Sequence, residues 1–379
     1  MTVTEHLDDD ALRDRLVELT RDLVIIPSTA AQPDERMRCY QFVRNHIDVI
    51  EGLEIRDYQH RGHASLVAFP KDCQVPDVLL AAHLDVIELP DDVEYRAQIV
   101  DGRIYGPGCG DMKGQLAILL QLFRSLHTRH PGIALGIAVT SDEEIGGRDG
   151  TGYLFGEANL RCRQVFLPDG GALDRVTVEE KGVLHVRLSA HGRAGHAARP
   201  WLAVNALDAI TESVRRIRKR FAEWQTDDDD DHWYPTVAQT ILRTDNHTIN
   251  RIPERAEALL DIRFPPPYKT ASIMDIVRAN LGEAVEALVL IGDDPTHLAP
   301  DPLWLSLAQA MTGHPVRQTR ESGGSDARFI CRHNIPVLMT RPDVGNLHSG
   351  DEWIDIQSMV TFYRIAERYL SQATAGARR

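Results

Sequence analysis

The sequence predicts an α/β protein: a mostly parallel sheet flanked by helices, interrupted by an inserted α+β domain. Three observations predict it. Apolar strand patterns alternate with helical ones through the first half of the 379 residues, the order that builds parallel sheets. Those strands are apolar on both faces, as in a sheet covered by helices on both sides. From about Val176 the order of elements changes, and the α/β character resumes only after about Pro300.

The elements follow in order. A helical spacing runs from near Ala11 to Ile25, followed by a strand at "DVLLAAH", a helix at "GQLAILLQLFRSLHTRH", and strands at "IALGIAVTSDEE" and "QVFLPD". His83, Glu143 with Glu144, and Asp169 each come just after a strand's last apolar residues, where open α/β sheets gather their ligands. Beyond Val176 come "KGVLHVRLSAHG", a helix at "AVNALDAITESVRRIRKRF", strands near "TVAQTIL" and "AEALLDIRF", a helix at "TASIMDIVRANL", and "VEALVLI". Strand, helix, strand, strand, helix, strand is the order of a ferredoxin-like split unit. The chain then returns through "LWLSLAQAM", "IPVLMTRP" and a helix ending near Leu370. The expected domains are therefore 1–175 with 297–379, one discontinuous body, and an inserted 176–296. The strand "KGVLHVRLSAHG" reads as a sheet edge on which two subunits could pair.

A length of 379 residues favours two cores over one, and a hydrophobic content of 43% can fill them. Lysine plus arginine number 42 against 56 acidic residues, a net charge of −14. That balance argues against nucleic acid or an anionic membrane surface as partner and favours a small-molecule substrate. No apolar run approaches the roughly 20 residues of a membrane span, and "MTVTEHLDDDALRDRL" is unlike a secretory signal, so a cytoplasmic location is expected. The five cysteines form no CxxC pair, which leaves histidine and carboxylates to hold any metal. The run Asp227 to Asp231 reads as a solvated loop, with a cation site as the alternative.

Chemistry concentrates at strand ends. In "HLDV", His83 and Asp85 are two apart on an extended segment and point the same way. Asp111 in "GCGDMKGQ", Glu143 and Glu144 in "TSDEEIGG", Asp169 in "LPDGG" and His348 in "NLHSGDE" complete a set of hard oxygen and imidazole donors. If His83, Asp111, Glu144, Asp169 and His348 hold two divalent ions, one ligand must span both. A carboxylate can and a histidine cannot, so Asp111 is the expected bridge. Of the adjacent acids, Glu144 would ligate and Glu143 would face the attacking water as general base. Asp85 would orient the His83 ring. Taken singly, "DEE" is an exposed acidic turn, "PDGG" a β-turn and "GPGCGD" a flexible loop without phosphate-cradling spacing. Six strand-end donors together are hard to explain so.

At these residues the chain resembles the co-catalytic zinc hydrolases that include succinyl-diaminopimelate desuccinylase, acetylornithine deacetylase, aminoacylase and glutamate carboxypeptidase. The likeness spans almost the whole length and rests on "HLDV", "GPGCGDMKG", "SDEEIGG", "PDGG", "HGRAGHAARPWLAVNA", "TINRIPERAEALLDIRF", "SGGSDARF" and "NLHSGDE", in that family's order. It implies a zinc-exopeptidase-like catalytic domain with a lid that also dimerises, and two divalent ions, zinc first, with cobalt or manganese able to substitute. It carries over His83, Asp111, Glu144, Asp169 and His348 as ligands, Glu143 as base and Asp85 as orienter. His196 is similar to a lid histidine that reaches the partner subunit's active site in a homodimer and steadies the oxyanion. Asn250 and Arg263 match lid positions that hold substrate, Arg263 facing a carboxylate. Gly324 and Ser325 match a substrate loop.

The resemblance implies hydrolysis of an amide bond in an N-acyl amino acid bearing a free carboxylate. "SGGSDARF" resembles the desuccinylase branch, whereas Asp169, where deacylases usually carry glutamate, resembles the peptidase branch, so a metallo-carboxypeptidase or dipeptidase is the alternative. Two rivals differ in class: a non-catalytic binding relative, which would have lost a ligand or the base, and a cysteine-nucleophile enzyme built on Cys109, which has no histidine beside it in sequence.

Overall fold

The computed structural model describes residues 7–90, 92–225 and 232–374; the acidic run Asp227 to Asp231 lies outside the described residues. The chain divides into two compact units, one comprising Met1–Val178, Leu298–Arg320 and Ser325–Arg379, the other Glu179–His297 and Glu321–Gly324.

At the centre of the first unit four strands run parallel, in the order Leu135–Thr140, Val78–His83, Gln164–Leu167, Val337–Met339. The hairpin Leu53–His60 and His63–Pro70 extends one side antiparallel, and on the other Thr177 pairs antiparallel with Met339. The strands Val78–His83 and Leu135–Thr140 are buried at every residue, which is why they carry no polar alternation. Helix Gly114–Arg129 covers one face with Leu116, Leu119, Leu122, Phe123 and Leu126 all buried. Helix Asp9–Val24 starts where the Asp8 carboxylate accepts from Ala11 N–H at 2.9 Å, a cap worth about 1 kcal/mol, and buries Leu12, Leu16, Leu19 and Leu23 at helical spacing. Helix Ile356–Ala373 completes the layer, where Phe362 and Tyr369 meet Phe166 and Trp304 with ring centroids 5.2 to 6.1 Å apart. Because the central strands are parallel, all four carboxyl ends lie at one edge of the sheet.

The second unit is a four-stranded antiparallel sheet in the order Thr236–Arg243, Arg255–Phe264, Gly182–His191, Val285–Asp293, the strand order of a ferredoxin-like unit. Strict alternation buries Leu184, Val186, Leu188 and Ala190 against Ala256, Ala258, Leu260, Ile262 and Phe264. Helices Ala206–Ala222 and Thr270–Ala279 cover that face through Ile210, Val214, Ile217, Phe221, Ile273 and Val277.

One expectation is corrected here. "KGVLHVRLSAHG" is not an edge: Gly182–His191 is paired on both sides. Its alternation is that of a half-buried strand at any position, and only the pairing partners distinguish an interior strand from an edge. The edges are Thr236–Arg243 and Val285–Asp293, which expose Ile241 and Leu242, and Leu288, Val289 and Leu290. Among the described residues no helix is long and apolar enough to cross a membrane.

Candidate active site

The strand Val78–His83 delivers a buried imidazole to the carboxyl edge of the sheet. His83 Nδ1 lies 3.0 Å from the carbonyl oxygen of Asp85. A carbonyl only accepts, so Nδ1 carries a proton. Nε2 faces Asp111 Oδ1 at 3.2 Å. The Asp85 carboxylate stands 3.6 Å from His83 Nδ1 and also accepts from the backbone N–H groups of Glu143 at 3.3 Å and Glu144 at 3.0 Å. Asp85 thus holds the ring by its carbonyl and the double-glutamate turn by its side chain.

Asp111 sits where the backbone departs from helical geometry (φ −141°, ψ 93°) at the head of helix Gly114–Arg129. Its two oxygens face two imidazoles: Oδ1 meets His83, and Oδ2 lies 3.3 Å from His348 Nε2. A carboxylate shared this way is placed to bridge two ions. His348 also approaches Glu144 Oε2 at 3.4 Å, and ligand atoms of His83, Asp111 and Glu144 all lie within 4.8 Å of one another. His348 reaches this position from a left-handed backbone, φ +63°, a conformation that costs a non-glycine residue about 1 kcal/mol and is concentrated at functional sites. Asp169, two residues beyond strand Gln164–Leu167, lines a small enclosed pocket with His83, Thr140, Glu143, Thr151 and Asp326.

The electrostatics fit a cation cluster. Burial disfavours a charged His83, but hydrogen bonds to Asp111 and Asp85 outweigh it and hold its pKa well above the ordinary value. The bonds to Asp111 and Glu144 push His348 up to about 10. Burial works to raise Asp111, yet the two imidazoles hold it far below the usual carboxylate range. Burial raises Glu144, and raises Glu143 well above its ordinary value. Two imidazoles and three carboxylates, donors suited to zinc-like ions, are available at this sheet edge.

Several residues at this edge have no signature in the sequence. Glu352 is buried, and its carboxylate accepts three backbone N–H bonds: Gly108 at 3.1 Å, Gly110 at 2.7 Å and Asp111 at 2.8 Å. Burial and the nearby Asp111 push it up to about 7, against those three donors. Gly108 adopts φ +75°, and a side chain there would meet Val86 Cγ1 at 2.3 Å. Asp142 accepts from Asp149 and Gly150 N–H at 2.8 and 3.0 Å and so folds back the chain beyond Glu144. The Asp326 carboxylate accepts from Thr151 Oγ1 at 2.5 Å. "NLHSGDE" contains Glu352, but its three donors come from a loop more than 240 residues earlier, a pairing only the fold brings about.

The remaining predicted residues are placed as follows. In the second unit, the short ribbon pairing Gly195–His196 with Arg251–Ile252 sets His196 beside Asn250, whose carbonyl accepts from Ala197 N–H at 2.9 Å. His196 Nδ1 accepts from Ala198 N–H at 3.0 Å, so its proton sits on the exposed Nε2. Arg263 is forked onto Asp261, at 2.8 and 3.1 Å, a local ion pair joined by His185 at 3.4 Å from Asp261. Gly324 belongs to the second unit and Ser325 to the first. Ser325 is buried, with its Oγ accepting from Ala327 N–H at 3.1 Å at the head of the short helix Ala327–Cys331. Cys109 is buried, its Sγ directed at the carbonyls of Ile104 and Glu352, both at 3.3 Å, and burial raises its pKa well above the ordinary thiol value. That is the environment of an inert thiol.

Residues 79–372 match the model of peptidase family M20/M25/M40. The chain is 30% identical over 325 residues to the succinyl-diaminopimelate desuccinylase of Rhodospirillum centenum, covering 80% of this chain and 82% of that one. It is 27% identical over 388 residues to succinyl-diaminopimelate desuccinylase 2 of Shewanella loihica, covering 94% and 98%. Its fold is similar to that of the M20 family metallo-carboxypeptidase Sso-CP2 from Sulfolobus solfataricus, with a TM-score of 0.79 over 96% of this chain and 100% of that one at 16% identity.

Proposed function

The chain belongs to peptidase family M20/M25/M40, a hydrolase of amide or peptide bonds, and we propose that it is a dinuclear metal-dependent enzyme that hydrolyses the amide bond of an N-acyl amino acid bearing a free carboxylate, with desuccinylase-like action first. His83, Asp111, Glu144, Asp169 and His348 would hold the ions, zinc before cobalt or manganese. When bound, such ions supply Lewis-acid polarisation of the carbonyl and lower the pKa of water.

The chain's own residues supply the rest. Glu143 takes the proton of the attacking water and returns it to the leaving nitrogen. A buried carboxyl with a raised pKa is suited to carrying a proton between two such transfers. Asp85 fixes both the ring of His83 and the turn that aims Glu143. His196 Nε2–H is a donor for the developing oxyanion, contributed from the partner of a homodimer joined through the second unit. The apolar residues exposed on that unit's edge strands support such a pairing. Asn250 and Arg263 hold the substrate's free carboxylate, Arg263 exchanging Asp261 for it.

The observation that carries the reading is the convergence of His83, Asp111, Glu144 and His348 on one point at the sheet edge. A carboxypeptidase or dipeptidase action is the second reading, favoured by aspartate at position 169. The test is to strip the protein with a chelator, reload it with zinc or cobalt, and assay N-succinyl amino acids, N-acetyl amino acids and dipeptides. Activity lost on chelation and restored on reloading, strongest on the succinyl compounds, is expected. Full activity without metal would overturn the mechanism, and dipeptides as the best substrates would replace the first reading by the second.

A further inference from the structure

Strand Val337–Met339 lies parallel to Gln164–Leu167 with Met339 level with Leu167. Each strand continues two residues to a charged side chain, Asp169 on one and Arg341 on the other. Asp169, a proposed ligand, and Arg341 thus each stand two residues past the last paired residues of neighbouring strands. Thr340 Oγ1 ties the second strand end to the Asp169 loop, donating to the Ala172 carbonyl at 2.8 Å. Arg341 is half-buried, and its Nε is buried with no hydrogen-bond partner among the described residues. Its charge is felt at Asp111, which it helps to hold ionised.

Arg263, by contrast, is forked onto Asp261. A buried guanidinium N–H without an acceptor is costly, and a planar fork binds carboxylates bidentately.

We propose that Arg341 binds a carboxylate at the end of the substrate's acyl chain, so that the preferred substrates are dianionic: an α-carboxylate on the amino-acid side and a second carboxylate on the acyl side. This rests on the functional reading above, in which Arg263 takes the α-carboxylate.

The experiment compares an N-succinyl amino acid with the same compound bearing a terminal carboxamide, using zinc-loaded wild type, Arg341→Met and Arg341→Lys. Wild type should prefer the acid. Arg341→Met should lose about 30-fold or more in kcat/KM on the acid, the loss of a charged pair's partner, and less than about threefold on the carboxamide. Arg341→Lys should recover part of the loss, and zinc content should not change. Succinate binding, measured by calorimetry on the same zinc-loaded proteins, should weaken at least about tenfold in Arg341→Met.

Equal losses on acid and carboxamide, or a fall in zinc content that accounts for the loss, would overturn the assignment by making Arg341 a support of the ions or the fold. If wild type hydrolyses neither compound, the functional reading fails. Succinate binding then still decides Arg341: unchanged affinity in Arg341→Met refutes it, and weakened affinity upholds an anion site independent of that reading.

Discussion

Replacing Glu352 tests whether one buried carboxylate builds the metal site from outside it. Its Oε1 accepts from Gly110 and Asp111 N–H, and its Oε2 from Gly108 N–H. In Glu352→Gln the amide oxygen can keep the first two bonds, but the amide nitrogen then faces the Gly108 N–H, donor against donor. One bond to a charged group is lost and one buried N–H is left unsatisfied, which together cost about 2–4 kcal/mol. Glu352→Ala frees all three donors and releases the Asp111 backbone, so it should cost more, roughly 4–6 kcal/mol. Asp111 faces both imidazoles, so a loosened Asp111 should weaken zinc about 10-fold in the glutamine variant and toward 100-fold in the alanine variant, the range seen when supports of metal ligands are removed. Zinc affinity is measured by competition with a chromophoric chelator, and stability by denaturation of the metal-free protein. A destabilised Glu352→Ala protein that binds zinc as tightly as wild type would refute the reasoning and make Glu352 a clamp for the chain alone.

Glu143→Ala should bind metal normally and lose about 10³-fold or more in turnover; near-normal turnover removes Glu143 as base. Mixing inactive His196→Ala with inactive Glu143→Ala should restore some activity through hybrid dimers, and no recovery despite proven subunit exchange would exclude action in trans. Arg263→Ala should impair hydrolysis of free-acid substrates by about 2–5 kcal/mol in transition-state terms and spare the matching α-carboxamides; equal losses would leave Arg263 as the partner of Asp261 only. His127 is buried with Nε2 3.1 Å from the Leu135 carbonyl, and burial lowers its pKa from 6.5 to about 4. The unfolded chain therefore binds a proton that the folded one refuses. Stability is complete above pH 6.5 and falls by about 1.4 kcal/mol per pH unit between 6.5 and 4, about 3 kcal/mol in all. Denaturation of His127→Leu across this range should show a slope shallower by that amount; parallel profiles would refute it.

What the sequence made legible was whatever depends on local pattern. Val78–His83 and Leu135–Thr140 are continuous apolar runs because both faces are covered, so polar donors following them stand out. The hairpin Leu53–His60 and His63–Pro70 was missed for the opposite reason: its first strand is largely solvated, with charges at Glu54, Arg56 and Asp57, and no apolar period marks it. Helix Pro33–Asp48 was missed likewise, since it buries only Cys39, Tyr40, Val43 and Ile47. Pairing partners were beyond reach as well. The interior position of Gly182–His191 and the three hydrogen bonds of Glu352 join residues whose spacing in the chain carries no signal of contact, whereas the two-residue spacing of Asp261 and Arg263 on one strand face does allow the local ion pair that forms.

The bond between Glu352 and the loop of Asp111 also sets the order in which the protein can be made. The two residues are 241 positions apart, and His348 is nearly as distant. At roughly 5–20 residues per second, a ribosome needs some tens of seconds after Asp111 to reach Glu352. Throughout that time the nascent chain carries His83, Asp111, Glu144 and Asp169 without their clamp or their last imidazole. If these residues hold the ions as proposed, a chain truncated before position 348 should emerge without a formed centre.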